Sequence, residues 1–176
     1  MSRCRLRPST PCQVHVYDSD GSPVSGWPLS TGGLNDGDNI HLSSLTVADL
    51  DGDDQYELVL GGADGKVHAW HANGSAVAGF PTVATEAQIT ASVAVADLRS
   101  DSVGPELVAG DILGNVKILS SSGDVLSEIA AGSGLTASPI IADADNNGIL
   151  DIVLSLNNSL VTLWDSYGNS FGSIYG

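Results

Sequence analysis

The chain is poor in positive charge. Its 176 residues include 6 Lys and Arg against 21 Asp and Glu, which gives a net charge of −15. Three of the basic residues stand in the first dozen positions, and after these the chain has only Lys66, Arg99 and Lys117. A surface this acidic repels the phosphates of nucleic acids and anionic membranes. The composition therefore excludes nucleic acid as a partner and is compatible with bound cations.

Long apolar runs and cysteines are also scarce. No run of about 18 apolar residues occurs, so we expect no insertion into a membrane. Both cysteines, Cys4 and Cys12, lie in a basic segment, residues 1–12, that we expect to be disordered or the start of a fragment. The two thiols could form a disulfide with each other, and the sequence leaves this open. The segment also lacks the apolar stretch of a signal peptide.

Helical periodicity is missing as well. Aromatic residues make up only 5% of the chain, whereas 42% of its residues are hydrophobic and 21 are glycine. Short apolar runs alternate with Gly, Asn and Asp turns, a pattern typical of strands joined by hairpins. One run, residues 58–60, is apolar at every position, as expected for a strand covered on both faces. The composition predicts an all-β domain of ordinary size.

An internal repeat of just under fifty residues organises these strands. Residues 44–49, 92–97 and 138–143 align, and each is followed by an apolar run, a turn, a second apolar run, a second turn and a final short strand. Four-stranded units at this period are the sequence signature of a β-propeller. We therefore predict an all-β β-propeller of four-stranded blades, with blades at about residues 42–84, 89–131 and 135–176 and a half blade at 13–30.

This prediction gives about three and a half blades, whereas closed propellers have about four to eight. An open array leaves strand edges and apolar faces uncovered. Three interpretations follow: the chain is part of a longer protein, two copies assemble into a ring, or the units form an open stack. In the first two, the remaining blades come from a longer chain or from a second copy.

Two loops in this repeat have oxygen-bearing side chains at alternate positions. Residues 49–57 and residues 143–151 place Asp, Asn or Glu at positions 1, 3, 5 and 9. A calcium ion takes about six to eight oxygen ligands in a tolerant geometry. A solvated acidic turn is the ordinary alternative, because Asp, Asn and Gly are common turn residues. The recurrence of the pattern at equivalent places in a repeat favours calcium.

An EF-hand is excluded, although its loop begins in the same way. EF-hand loops end with a bidentate Glu at position 12. That position is Leu60 in the first loop and Leu154 in the second, and leucine has no ligand atom. Strand-like runs, rather than amphipathic helices, follow both loops.

The units resemble the FG-GAP/VCBS repeats of integrin-α-like β-propellers over nearly all of residues 13–176. The resemblance is carried by residues 48–53 with Glu57, by residues 142–151, and by the Gly-aromatic-Pro signatures at 26–28 and 79–81. It implies calcium ions between the first and second strands of a blade. It also implies an extracellular or cell-surface setting, often within a larger exported protein.

Carried over position by position, the resemblance implies two calcium sites. The first loop departs from the family pattern at position 6, where Asp54 replaces glycine; Asp tolerates the left-handed backbone better than most residues. The implied ligands are the side chains of Asp49, Asp51, Asp53 and Glu57 with the Gln55 carbonyl, and the side chains of Asp143, Asp145, Asn147 and Asp151 with the Ile149 carbonyl.

The equivalent loop of the middle unit departs further. Arg99 stands at position 3, and an extra residue moves the closing acid to Glu106 at position 10. The guanidinium could fill the site with its own charge, so we expect no calcium there. The sequence does not settle whether Asp97, Asp101 and Glu106 bind another metal.

The sequence predicts a non-enzymatic, calcium-stabilised module for adhesion, ligand binding or scaffolding outside the cell, with a protein or glycan as ligand. The alternative is part of an exported polysaccharide-active or other hydrolytic enzyme. Residues 168–172 match G-x-S-x-G, but that motif requires a strand–turn–helix context, and we expect a turn and a last strand. His68 and His71 are three residues apart on a predicted strand, so they cannot share a metal.

Overall fold

The fold is built from strands and turns alone. The structure is a computed structural model and describes residues 13–30 and 43–175. Within these ranges it contains three four-stranded antiparallel sheets, one two-stranded sheet and no helix, and so no helix that could cross a membrane. The all-β prediction and the four-stranded units are confirmed. The basic segment with Cys4 and Cys12 lies outside the described residues.

Each four-stranded sheet is a meander, in which strands adjacent in sequence are adjacent in the sheet. The two-stranded sheet comes first in the chain and pairs β1 (Gln13–Val14) with β2 (Leu29–Ser30). The first four-stranded sheet contains β3 (Thr46–Ala48), β4 (Glu57–Gly61), β5 (Lys66–Trp70) and β6 (Thr82–Val83). The second contains β7 (Ala94–Ala96), β8 (Glu106–Gly110), β9 (Asn115–Leu119) and β10 (Val125–Ala130), and the third contains β11 (Ile140–Ala142), β12 (Asp151–Ser155), β13 (Leu160–Trp164) and β14 (Ser170–Tyr175).

The apolar core lies between successive sheets. One cluster of buried side chains joins the first and second four-stranded sheets, another joins the second and third, and a third joins the two-stranded sheet to the first. Because side chains alternate along a strand, the second strand of the first unit and that of the second unit each contribute to two of these clusters. In β4, Leu60 packs toward the two-stranded sheet and Val59 toward the second sheet. This explains why the run is apolar at every position.

Glycine sets the close approach between one unit and the next. Gly79, at φ +87°, lies so near the turn after β9 that an added Cβ would be 1.9 Å from the carbonyl oxygen of Ser122. Gly26 lies equally close to the carbonyl of Asn73 in the turn after β5. The neighbouring Trp27 donates its indole N–H to the Ala72 carbonyl at 2.7 Å. The Gly-aromatic-Pro signatures therefore mark where a unit contacts the following turn.

The face of the third sheet that points away from the second is uncovered in the described part of the chain. Val59 and Val108, on the equivalent faces of the first two sheets, are 0% exposed. Their counterpart Val153 is only partly buried and pairs across the sheet with Ile140, which is 60% exposed. Ile174 on the same face is 61% exposed. The first two sheets each bury this face against another sheet, and the third does not.

Candidate metal centres

The loop between β3 and β4 brings three carboxylates together. Asp49 accepts backbone N–H groups from Gly52, at 2.8 Å, and from Asp54, at 3.1 Å, on its two oxygens. These bonds fold the loop tightly around its first residue. As a result, side-chain oxygens of Asp49, Asp51 and Asp53 lie within 4.8 Å of one another. The loop thus gathers the side chains predicted for positions 1, 3 and 5.

The loop between β11 and β12 has the same construction. Asp143 accepts the N–H groups of Asn147 and Gly148, both at 2.9 Å, on its two carboxylate oxygens. Side-chain oxygens of Asp143, Asp145 and Asp151 lie within 4.8 Å of one another. The second predicted site is therefore also a convergent set of oxygens, and here the set includes the closing carboxylate.

The backbone of the two loops is alike at the positions that shape them. Position 4 is left-handed in both, with φ +76° at Gly52 and +61° at Asn146. Position 6 is also left-handed, with φ +64° at Asp54 and +87° at Gly148. Asp54 thus adopts the conformation that glycine has in the other loop, so its departure from the family pattern leaves the loop shape intact.

A buried carboxylate on the second strand closes each loop. In all three units this acid accepts the N–H of the residue that follows the first Asp of the loop. The acids are 2% exposed or less. A carboxylate–amide hydrogen bond is stronger than a neutral one, and breaking it would leave a buried charge unpaired. The pairs are Glu57 with Leu50 at 2.8 Å, Glu106 with Leu98 at 2.7 Å, and Asp151 with Ala144 at 3.0 Å.

The remaining predicted ligands lie in the same loops. Asn147 accepts the N–H of Ile149 on its amide oxygen at 2.7 Å, and the Gln55 side chain donates to Asp53 at 3.2 Å. Both contacts are on the exposed side of the loops. The Gln55 and Ile149 carbonyls stay predicted ligands.

His71 lies at the first site as well. Its place there was not predicted from the sequence. Its Nδ1 lies 3.2 Å from Oε1 of Glu57, and these two side chains form a potential metal-binding group with Asp51. The strand register could have revealed this contact. Trp70 pairs with Leu58, so the residue after β5 lies beside the residue before Leu58. The prediction that His68 and His71 are separate agrees with the contact of His68 with Asp64 at 3.3 Å.

The middle loop holds an ion pair. Arg99 donates from Nε and from a terminal nitrogen to the two oxygens of Asp101, at 3.0 and 3.1 Å, and its guanidinium lies 4.4 Å from the centre of the Tyr167 ring. The hydrogen bonds from Arg99 hold the pKa of Asp101 below its usual range. The other carboxylate oxygen of Glu106 is buried with no hydrogen-bond partner in the described residues. The absence of calcium from this loop stays a prediction.

The G-x-S-x-G segment follows a hairpin turn. Asp165 accepts the N–H groups of Tyr167 and Asn169 and so shapes that turn, and Ser170 begins β14. No helix follows in the described residues, so the segment lacks the strand–turn–helix context that the hydrolase motif requires.

Known structures resemble this chain in fold. No family model and no curated protein matches it. The crystal structure of BBS1N in complex with ARL6DN, soaked with lead, is similar with a TM-score of 0.64 and 13% identity, over 93% of this chain and 47% of that chain. The computationally designed Ika4 protein is similar with a TM-score of 0.51 and 19% identity, over 76% of this chain and 74% of that chain.

These likenesses bear on the arrangement of the sheets. This chain spans about half the length of BBS1N, whose fold is a β-propeller. At this identity the likeness shows fold alone. The chain is therefore an all-β protein of propeller-like architecture, with successive four-stranded sheets packed face to face. The blade count and closure, and the FG-GAP/VCBS resemblance, stay predictions.

The closing carboxylates give a prediction that is independent of metal. In chelator, Asp151→Ala should lower the free energy of unfolding by roughly 2–3 kcal/mol, because it leaves the Ala144 N–H without its acceptor and opens a gap beside β12. Asp145→Ala, in the exposed part of the same loop, should change it by less than about 1 kcal/mol. Urea unfolding at equilibrium measures both. Equal losses in the two variants would show that Asp151 does not brace the loop.

Proposed function

We propose that this chain is a calcium-binding β-propeller repeat module, non-enzymatic, that serves adhesion, ligand binding or scaffolding outside the cell. The observation that carries the proposal is the convergence of carboxylate oxygens in two loops at equivalent places of the first and third units. Calcium in this proposal is structural, because both loops lie between strands of a sheet and are joined to the second strand by a buried acid.

Electrostatics supports a cation in each loop. Two like charges about 4 Å apart repel by about 1 kcal/mol in water and about 4 kcal/mol near a protein surface, and each loop holds three carboxylates within 4.8 Å. The net charge of −15 adds a general repulsion. A divalent cation at the centre of the set offsets this repulsion. Backbone N–H groups already orient Asp49 and Asp53 in the first loop and Asp143, Asp145 and Asp151 in the second, so these carboxylates need little ordering when the ion binds.

The proposal also includes where the chain acts and what it contacts. The extracellular or cell-surface location, and a protein or glycan as ligand, follow from the resemblance to FG-GAP/VCBS repeats. The acidic loops are consistent with an extracellular location. Calcium is millimolar outside cells, and this concentration is sufficient for loops of modest affinity. The three loops between first and second strands occupy equivalent places in successive units, and the proposal assigns ligand contact to this edge of the sheets.

The proposal includes further repeat units on the uncovered face of the third sheet. Val153 and Ile140 stand where Val59 and Thr46 stand in the first sheet, and there the next sheet buries the valine completely. A further four-stranded unit, from a longer chain or from a second copy, would cover this face in the same way. It would remove an apolar area that is otherwise an aggregation risk.

Light scattering of the 176-residue chain separates the two sources. If a second copy supplies the cover, the chain is a dimer. Leu163 pairs with Val153 and so lies on this face, and Leu163→Glu should make the chain a monomer because a charge here is costly to bury. Val103→Glu is the matched control, since Val103 is 90% exposed and outside the face. A monodisperse wild-type monomer would exclude the second copy.

Calcium binding is tested by thermal unfolding in chelator and in millimolar calcium. Binding to the folded state alone stabilises it by about 2.7 kcal/mol at a hundredfold excess over Kd, so the midpoint should rise by several degrees. Asp145→Ala should remove the share of the second site from this calcium-dependent rise. Arg99→Ala should leave the rise unchanged, although the midpoint itself falls with the loss of the Arg99 contacts. An unchanged wild-type midpoint would refute structural calcium.

A further inference from the structure

We propose that the first loop also binds a transition-metal ion of the Zn²⁺ class through Nδ1 of His71, Oε1 of Glu57 and the carboxylate of Asp51. The inference rests on the proposed function in one respect, since Asp51 and Glu57 are shared with the first calcium site. It differs in the donor set, which contains nitrogen, and therefore in the ions that the site prefers.

The spacing of the donors fits such an ion. A tetrahedral Zn²⁺ site has Zn–N and Zn–O bonds of about 2.0–2.2 Å, which places neighbouring donor atoms about 3.3 Å apart. His71 Nδ1 and Glu57 Oε1 are 3.2 Å apart. The two donor atoms are therefore already at the separation that a bound Zn²⁺ requires. Asp51 has an oxygen within 4.8 Å of a ligand atom of each of these two residues, and it is exposed, so its side chain is free to turn toward the ion.

The Glu57 donor is held from behind. Its Oε2 oxygen accepts the Leu50 N–H, which directs Oε1 toward the imidazole. Such a supporting bond is typical of metal sites because it orients the ligand before the ion arrives. At His71 the backbone is fixed, because its N–H donates to the Ser75 carbonyl at 2.9 Å at the start of the turn after β5. The His71 side chain is 32% exposed, which leaves a path for the ion and room for a water ligand.

Of the three four-stranded units that the structure describes, the first alone has an imidazole beside its closing acid. The register that places His71 beside Glu57 places Ser120 beside Glu106 and Asp165 beside Asp151. Calcium prefers oxygen donors alone, whereas imidazole suits Zn²⁺, Ni²⁺ and Cu²⁺.

The middle unit gives an independent observation on the same position. With Ser120 in place of the histidine, Oε1 of Glu106 is buried and has no hydrogen-bond partner among the described residues. The unpaired oxygen of the middle unit thus lacks the partner that Nδ1 of His71 offers to the equivalent acid, Glu57, in the first unit.

The experiment is a competition titration of the full chain with Zn²⁺, in a background of Cys4→Ser and Cys12→Ser so that thiols do not bind the ion. His71→Gln should weaken Zn²⁺ binding at least ~10-fold, the scale reached even by loss of an outer-shell partner. His68→Gln is the matched control and should change the affinity less than about threefold, because His68 contacts Asp64 instead. Equal Zn²⁺ affinity in wild type and His71→Gln would overturn the proposal.

A second readout avoids mutation. Zn²⁺, which is diamagnetic and so does not perturb nuclei at a distance, is added to the unmutated chain, and the imidazole ¹⁵N resonances are recorded. Nδ1 of His71 should shift on coordination while the imidazole of His68 keeps its position; no effect on His71 would also overturn the proposal.

Calcium titrations of the same variants separate this proposal from the proposed function. The second loop has no imidazole, so its calcium binding depends on Asp145 and not on His71. If Zn²⁺ binding requires His71 while no calcium binds to either loop, the transition-metal site stands and the calcium function fails. If calcium binds to both loops while Zn²⁺ binding ignores His71, only the transition-metal proposal fails.

Discussion

The structure depends on one interaction that occurs once in each unit: a buried carboxylate at the start of the second strand accepts a backbone N–H from the loop before it. Glu57, Glu106 and Asp151 make this bond in the three units, although only two of the loops have the calcium pattern. The bond joins an acidic loop to the most buried strand of its sheet. It thereby sets the distance between the loop carboxylates and the core, with or without an ion.

The rest of the architecture follows from how such units stack. Each second strand is apolar on both faces, and the first and second four-stranded sheets are each covered by the next, so the chain buries hydrophobic residues between sheets. Glycines at 26 and 79 allow the close contact with the following turn. Because the loops all join first and second strands, the same stacking brings the acidic loops to one edge. The acidic loops and the core are thus products of one repeat.

Much of this was predictable from the sequence, because period and pattern are local properties. The spacing of 48 and then 46 residues predicted the four-stranded units. The alternate oxygen-bearing side chains predicted the two loops that gather carboxylates, which are Asp49, Asp51 and Asp53 in the first and Asp143, Asp145 and Asp151 in the second. The contact of His71 with Glu57 was missed because it lies across two strands and depends on their register. The stacking of Arg99 on Tyr167 joins two units, and no pattern within one repeat indicates it.

The most direct measurement is the number of calcium ions bound per chain, by equilibrium dialysis of the full chain at saturating calcium. We expect two calcium ions per chain, one in each loop with converging carboxylates. The middle loop should bind none, because Arg99 and its pairing with Asp101 leave it without the required oxygens. No bound calcium would contradict the central claim that these loops are cation sites. Three bound calcium ions would contradict the expectation that the ion pair in the middle loop takes the place of a metal ion.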